Sequence, residues 1–288
     1  MVASVSDGEF QDAALVVIAH GSTRNADSAV PAWQQVDAFK NRRIFASVTE
    51  AFWKQEPFVG GILRGVFAKR VFLVPLFIAD GWFTRQVIPQ ALGLRGPEAA
   101  DFPAVQVRGD QVLHYCGAVG SHPGMTEVLL ARASDVVKRH PFPRAPRPEE
   151  TALLIVGHGT SYSRGSREAI ERQVELIRAR GIYGDVKALF LEESPRVPEC
   201  FDVTELKNLV LVPFFISDGL HAREDIPIAL GETEHDVRNR IAAGLPTWRN
   251  PTERKGRRIW CAPAVGTDPL LAEVILQRVR EAAAVGMA

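Results

Sequence analysis

Two runs of this sequence decide its fold: Leu15-Val-Val-Ile-Ala-His-Gly-Ser22 and Leu153-Leu-Ile-Val-Gly-His-Gly-Thr160. Each is a short apolar run followed at once by His-Gly and a hydroxyl residue. Continuous apolar runs of this length are typical of strands that are buried on both faces of a parallel sheet. The two histidines lie 138 positions apart. The sequence therefore predicts two buried strands, each followed by the same kind of loop.

The same offset recurs along the chain. Val74-Pro-Leu-Phe-Ile-Ala-Asp-Gly81 matches Val212-Pro-Phe-Phe-Ile-Ser-Asp-Gly219, and the register holds from Leu15 to Gly93 without a gap. A last block, at 118–123, matches 264–269 at an offset of 146, so the second copy carries eight extra residues. Because chance similarity does not hold one register over such a length, the chain is a duplication of one unit.

Amphipathic stretches alternate with the apolar runs inside each copy. Helical spacing of apolar residues predicts helices at 125–137, 166–178 and 270–279. Strands that alternate with helices indicate an α/β fold of two tandem, duplicated domains, each a mostly parallel, doubly wound sheet flanked by helices. We expect domains at 1–140 and 151–288, joined by a proline-rich linker at 141–150.

A second segment rich in proline, glycine and arginine, at 244–258, contains the extra residues of the second copy. Segments of this composition and length are typical of surface loops. We therefore expect a long surface loop or flap there. Its arginines could hold carboxylates, although a solvated basic loop is an equal alternative.

Composition and charge exclude several classes of protein. Hydrophobic residues make up 46% and charged residues 24% of the 288 residues, which is typical of an ordinary folded protein. The 34 Lys and Arg balance the 34 Asp and Glu, so no general electrostatic attraction to nucleic acid or to an anionic membrane is expected. The apolar run at 13–19 is too short to span a bilayer, and acidic residues precede it. We expect a cytoplasmic protein.

The three cysteines are Cys116, Cys200 and Cys261, and no two of them form a CxxC pair. Neither a zinc knuckle nor an iron–sulfur site is therefore indicated. Cysteines outside such motifs are most often interior residues. We expect buried free thiols.

Three chemically active residues of the second copy follow three predicted strands. His158 follows the run at 153–157, Glu192 follows 187–191, and His221 comes after 209–216 and a Ser-Asp-Gly turn. Ligands of open parallel sheets bind beyond the carboxyl ends of the strands. Two imidazoles and a carboxylate suit a divalent first-row metal, and they can also move protons. One such histidine alone is usually a hydrogen-bonded loop residue, but the coincidence of three favours a metal site.

The first copy serves as an internal control for this site. The equivalent positions there hold His20, Lys54 and Phe83. Only one of the three residue types is retained, so the fold does not require the complete set. This asymmetry favours a functional role in the second copy.

These motifs resemble the CbiX/SirB-type class II chelatases, a family that inserts a divalent metal into sirohydrochlorin. The resemblance is carried by Val156-Gly-His-Gly-Thr160, Phe190-Leu-Glu192, the run at 212–227 and the block at 264–269. It covers nearly the whole chain apart from 141–150 and 244–258. It implies a two-domain fold with the tetrapyrrole bound in the cleft between the halves. In two-domain members the complete set lies in the first half, whereas here it lies in the second.

The resemblance also implies the roles of the site residues. His158 and His221 would deliver the metal, and Glu192 would orient it or accept the pyrrole protons. Cobalt is the metal expected, with Fe²⁺ or Ni²⁺ open, and it would be a substrate, since no tightly bound cofactor is expected. Arginine forks would hold the carboxylates of the tetrapyrrole, and the candidate substrate-binding residues of the two copies are Arg164, Arg167, Arg223, His20 and Arg85. We expect a monomer or a homodimer.

Two alternatives follow from the same residues. The first is a non-catalytic carrier of metal or tetrapyrrole on a chelatase scaffold. The second is a hydrolase with Ser22 or Thr160 as nucleophile, which is disfavoured because neither copy has G-x-S-x-G spacing. A dinucleotide site is not indicated either, since no G-x-G-x-x-G follows the first strand of either copy.

Overall fold

The computed structural model describes residues 9–23, 25–159 and 164–285, apart from the side chains of Ala26 and Arg164. The chain divides into two compact units. The first unit runs to His122 and resumes at Pro269, and the second is Pro123–Asp268. Within the described ranges, no helix is both long enough and apolar enough to cross a membrane.

The elements of the described chain follow the predicted alternation. The strands are β1 (Ala13–Ala19), β2 (Ser47–Phe52), β3 (Arg70–Pro75), β4 (Val105–Arg108), β5 (Gln111–Tyr115), β6 (Thr151–Gly157), β7 (Asp185–Phe190), β8 (Asn208–Pro213), β9 (Thr252–Arg254) and β10 (Arg257–Cys261). The helices are α1 (Val30–Arg42), α2 (Ile88–Ala91), α3 (Met125–Arg139), α4 (Arg164–Arg178), α5 (Ile226–Ala229), α6 (Glu234–Ala242) and α7 (Leu271–Val285). The three predicted helices are confirmed as α3, α4 and α7.

Each unit is built on a five-stranded sheet. The strand orders are β2-β1-β3-β5-β4 and β7-β6-β8-β10-β9, and only the last strand of each sheet is antiparallel to its neighbour. The predicted α/β fold with two mostly parallel sheets is therefore confirmed. Strands β1 and β6 are buried at all seven positions. One face of β1 packs against Ile88 and Leu92, and α1 also contacts this strand.

The segment at 244–258 differs from the predicted loop. Residues 252–254 form the edge strand β9, and Lys255 and Gly256, with φ of 48° and 71°, form the two-residue turn into β10. Positive φ at both turn residues matches the right-handed twist of paired strands. Trp248 is only 6% exposed and packs in the core of the second unit. Residues 244–251 are irregular, but the expectation of a loop or flap over the whole segment is wrong.

The helices that end the two copies are exchanged between the units. α3 belongs to the second unit and contacts β8 and β10, whereas α7 belongs to the first and contacts β3 and β5. The units therefore differ from the expected domains at 1–140 and 151–288. Residues 141–147 are irregular, as a proline-rich segment should be, but they lie inside the second unit. The amphipathic pattern predicts that one face of each helix is buried, but it does not predict which sheet that face packs against.

Candidate functional site

The three predicted residues of the second copy follow three adjacent parallel strands. His158 comes directly after β6, and Glu192 comes two residues after β7. His221 begins a π-helical turn, His221–Asp225, that leads into α5. Since β7, β6 and β8 are neighbours in that order, their carboxyl ends meet at one edge of the sheet. The topology of the second unit thus brings these segments together.

The side chains of these residues are in contact. The ring centroids of His158 and His221 are 4.7 Å apart, with the rings nearly perpendicular at 88°. Nδ1 of His158 lies 3.6 Å from Oε1 of Glu192. The three side chains are 34%, 49% and 57% exposed for His158, His221 and Glu192 respectively. Both imidazoles and the carboxylate are therefore accessible to a ligand from solvent.

A carboxylate that sequence analysis missed holds the second histidine. Nδ1 of His221 and Oδ2 of Asp225 are 2.6 Å apart, within one helical turn. A carboxylate at this nitrogen favours the tautomer that keeps Nε2 as the lone-pair donor, an arrangement common to metal-binding histidines. The spacing of four residues on a helical turn was a signal that could have revealed it. The first copy has Phe83 and Val87 at these positions.

A close backbone approach sets the spacing of His158 and Glu192. The amide of Glu192 donates to the carbonyl of His158 over 3.1 Å. Gly159 has φ of +63°, and a Cβ added there would lie 2.7 Å from Cβ of Phe190. Only glycine allows this backbone conformation at this distance without strain. Gly159 therefore lets the loop after β6 pass close to the end of β7.

The Ser-Asp-Gly turn before His221 has a structural anchor. Oδ1 of Asp218 accepts a hydrogen bond from the amide of Ala264 over 2.6 Å. In the first unit, Asp80 accepts from the amide of Ala118 over 3.1 Å in the same way. Because both copies retain this bond while only one retains the histidine, the aspartate of this turn serves the fold.

The donors around the two histidines do not form a closed metal cage. Among the residues that the structure describes, no group of three or more His, Cys, Asp or Glu side chains is arranged to hold a metal ion. The contacts instead form two pairs, His158 with Glu192 and His221 with Asp225, joined where the imidazoles meet. Two borderline nitrogen donors with carboxylates beside them suit an ion that is held and then released.

The predicted arginines have different surroundings. Arg167 is bound to carboxylates, with Nε 2.8 Å from Oε1 of Glu171 and Nη1 2.8 Å from Oε2 of Glu193. Arg223 is half-buried in the π-helical turn, and Arg85, its counterpart in the first unit, is exposed. The side chain of Arg164 and all of Thr160 lie outside the described residues. Arg167 is therefore engaged within the protein, whereas Arg85 faces solvent.

The equivalent edge of the first unit has different side chains and different contacts. Nδ1 of His20 lies 2.8 Å from the carbonyl oxygen of Gly21, and the His20 ring packs edge-to-face on Phe83 at 5.1 Å. Lys54 follows β2 with an exposed side chain. Oγ of Ser22 accepts from the amide of Asn25 over 3.1 Å, as a turn-capping hydroxyl does.

The cysteines take no part in either site. Cys116, Cys200 and Cys261 are free and buried, as predicted. Burial raises the pKa of each thiol to about 12. Since the thiolate is the form that attacks substrates and binds metals, these thiols supply neither a nucleophile nor a ligand at neutral pH.

Comparison with known proteins gives consistent matches over both copies. The CbiX family model matches residues 14–136 and 152–282. A probable sirohydrochlorin cobaltochelatase from Halobacterium salinarum is 39% identical over 281 residues, which cover 94% of this chain and 92% of that protein. A multi-domain protein from Deinococcus radiodurans, described as structurally similar to chelatases, superposes with a TM-score of 0.74 at 28% identity.

That structural match covers 92% of this chain, which in turn spans 54% of the Deinococcus protein. A solved structure of CbiX, described as the terminal enzyme for biosynthesis of siroheme in denitrifying bacteria, superposes with a TM-score of 0.60. It is 21% identical, and the match covers 94% of this chain and 98% of that one. At this identity, the likeness concerns the fold.

Proposed function

Because this chain belongs to the CbiX family, we propose that it is a lyase-type metal chelatase that inserts a divalent metal ion into sirohydrochlorin. The observation that carries the proposal is the contact of the His158 and His221 rings, 4.7 Å apart, in the second copy alone. The naming of the Halobacterium relative, at 39% identity over nearly the full length, supports the choice of substrate. The proposed partners are the tetrapyrrole and the ion, in the cytoplasm, without a tightly bound cofactor.

In this proposal, the two histidines bind the incoming metal through neutral imidazole nitrogens. The bond of 2.6 Å between His221 and Asp225 leaves Nε2 of His221 as the nitrogen for the ion. The half-exposed rings let the ion leave again for a ring nitrogen of the substrate. Open coordination positions are a requirement of transfer, so two such ligands serve better than a closed site of four.

Insertion also needs a proton acceptor. The metal ion replaces two pyrrole N–H protons, so each turnover releases two protons while the ion gains the ring nitrogens. Glu192 is the proposed base, since its carboxylate is 57% exposed and lies 3.6 Å from Nδ1 of His158. From there a proton passes to solvent or to His158 once the metal has left.

Cobalt is the proposed metal, supported by the name of the Halobacterium relative. The ligand set does not itself select cobalt, because imidazole and carboxylate also suit Fe²⁺ and Ni²⁺. Comparing the initial insertion rates of the three ions under anaerobic conditions would rank them. Faster insertion of Fe²⁺ or Ni²⁺ than of Co²⁺ would contradict the choice of cobalt.

The function is tested by mixing the full chain with sirohydrochlorin and Co²⁺ and following the absorption change. We expect acceleration over the spontaneous rate, and its loss in His158→Ala and in His221→Ala. His20→Ala is the matched control in the first copy, for which we expect a smaller effect. Binding of metal or tetrapyrrole without acceleration would contradict the proposal and identify a carrier instead.

A further inference from the structure

Ring side chains occupy the edge of the first unit where the second unit has its histidines and carboxylates. The ring of Phe83 lies 5.1 Å from His20, 5.1 Å from Trp82, 6.1 Å from Phe77 and 6.4 Å from Trp53, measured between centroids. We call these five side chains the aromatic cluster. It gathers residues from the ends of three parallel strands, β1, β2 and β3.

The aromatic cluster is open to solvent. Trp82 is 63% exposed, and the side chains of Trp53, Phe77 and Phe83 are partly exposed. Burying so large an apolar side chain is favourable, so contiguous exposed rings on a folded unit usually mark a binding surface. An open surface of rings offers flat apolar faces to a flat ligand.

The charges around this surface also differ from those of the second unit. The second unit has four carboxylates at the equivalent edge, and their counterparts at an offset of 138 are not acidic: Glu192, Glu193, Glu224 and Asp225 are replaced by Lys54, Gln55, Gln86 and Val87. The cation of Arg223 is retained as Arg85. The first unit has therefore lost these four carboxylates and gained Lys54, while Glu56 stands where the second unit has Ser194.

One cation lies beside a ring of the cluster, and a second follows the exposed tryptophan closely in sequence. Nζ of Lys54 is 5.9 Å from the centroid of the Trp53 ring, and Arg85 is exposed three residues after Trp82. Asp80, the acid nearest in sequence to Trp82, is bound to the amide of Ala118 and to the hydroxyl of Ser121. The surface thus combines flat apolar faces with positive charge at its margin.

We propose that the aromatic cluster binds the face of a planar, conjugated polycarboxylate, with Lys54 and Arg85 pairing with its carboxylates. This deepens the proposed function and rests on it, because the tetrapyrrole substrate belongs to that chemical class. Aromatic rings favour stacked and edge-on contacts with such a ligand, and the two cations select for acidic substituents. The two copies would then have diverged in function: the second copy binds the metal ion, and the first copy binds the macrocycle.

The test is a titration of the full chain with metal-free sirohydrochlorin, with no metal present, followed by the absorption of the macrocycle. The variants are Trp82→Ala, which removes an exposed ring, and Lys54→Glu, which introduces the residue of the second copy. Trp33→Ala is the control, since Trp33 is also exposed, at 41%, but lies on α1 outside the cluster. We expect each cluster variant to raise Kd about tenfold, the loss of one stacking or ionic contact, and the control to leave Kd unchanged.

A second measurement separates this inference from the proposed function. Calorimetric titration with Co²⁺ alone should give the same Kd for Trp82→Ala and the unaltered protein. His221→Ala should lose Co²⁺ binding and keep the macrocycle Kd. If both cluster variants bind the macrocycle as tightly as the unaltered protein, this inference is overturned even where insertion proceeds. If macrocycle binding depends on the cluster but no insertion is accelerated, the proposed function fails and this inference stands.

Discussion

Arg132 and Asp268 form a buried ion pair in the second unit, with Nε of Arg132 3.2 Å from Oδ2 of Asp268. The two residues belong to different copies of the repeat, because Arg132 lies on the exchanged helix α3. Nη2 of Arg132 also donates to the hydroxyl of Thr267 over 2.7 Å. In the first unit, Arg278 of α7 donates to the hydroxyl of Ser121 over 2.9 Å. Each exchanged helix is therefore bound by an equivalent arginine to the turn that follows β5 or β10.

Replacing Arg132 with Met is expected to destabilise the second unit. The change would leave the carboxylate of Asp268, which is 3% exposed, without its charged partner. Loss of one member of a buried pair costs about 3–5 kcal/mol. Urea unfolding would measure the change. Arg139→Met on the same helix is the control, since its side chain is 69% exposed, and a loss as large as that of Arg132→Met would contradict the argument.

Gly159→Ala is expected to disturb both the fold and the proposed metal site. The added Cβ would require a strained φ of +63° and would lie 2.7 Å from Cβ of Phe190. Together these effects cost roughly 2–4 kcal/mol and displace His158. Gly181→Ala is the matched control, because Gly181 has φ of +62° and nothing within 4 Å of the added atom. Equal losses of stability in urea unfolding would show that the contact with Phe190 is unimportant.

Asp225→Asn should weaken metal binding without weakening the fold. The amide can still accept a hydrogen bond from His221, but it carries no charge to make the imidazole a stronger ligand. Loss of such a partner typically lowers metal affinity roughly 10- to 100-fold. The Kd for Co²⁺ from calorimetry, with Glu205→Gln on the fully exposed Glu205 as control, measures the effect. An unchanged Kd would indicate that the charge of Asp225 does not strengthen His221 as a metal ligand.

Docking of α7 should weaken in acid. Burial lowers the pKa of His114 and of His122, and for His122 the charge of Arg278 lowers it further. His114 contacts the carbonyl oxygen of Ala282 on α7, and His122 contacts Glu281. Below the ordinary pKa of about 6.5 the unfolded chain takes up protons that the folded chain does not, so stability falls as pH decreases from that value toward the lowered pKa.

Hydrogen exchange at pH 7.5 and pH 5.5, corrected for intrinsic rates, would test this effect. The amides of α7 should lose protection at the lower pH. Helix α3 is the internal control, because the equivalent positions of the second unit are Trp260 and Asp268 instead of histidines. Equal changes in both helices would contradict the prediction.

The sequence by itself determined the duplication, the strands β1, β6, β7 and β8, and the positions of His158, Glu192 and His221 at three strand ends. These features depend on local patterns, since a buried strand needs a continuous apolar run and its carboxyl end is the residue where that run stops. The short antiparallel strands were not found, because β4 and β9 lie at sheet edges and are too short and too polar to show a pattern.

Only the tertiary structure decided the rest. It showed that α3 and α7 are exchanged between the units. It also showed that Asp225 contacts Nδ1 of His221. In the first unit, Phe83 occupies the position equivalent to His221 and packs against other exposed rings. The sequence of an amphipathic helix shows which of its faces is buried. It does not show which sheet that face packs against, because this depends on contacts between residues far apart in the chain. The exchange was invisible in the sequence because the two sheets are copies, and either could accept either helix.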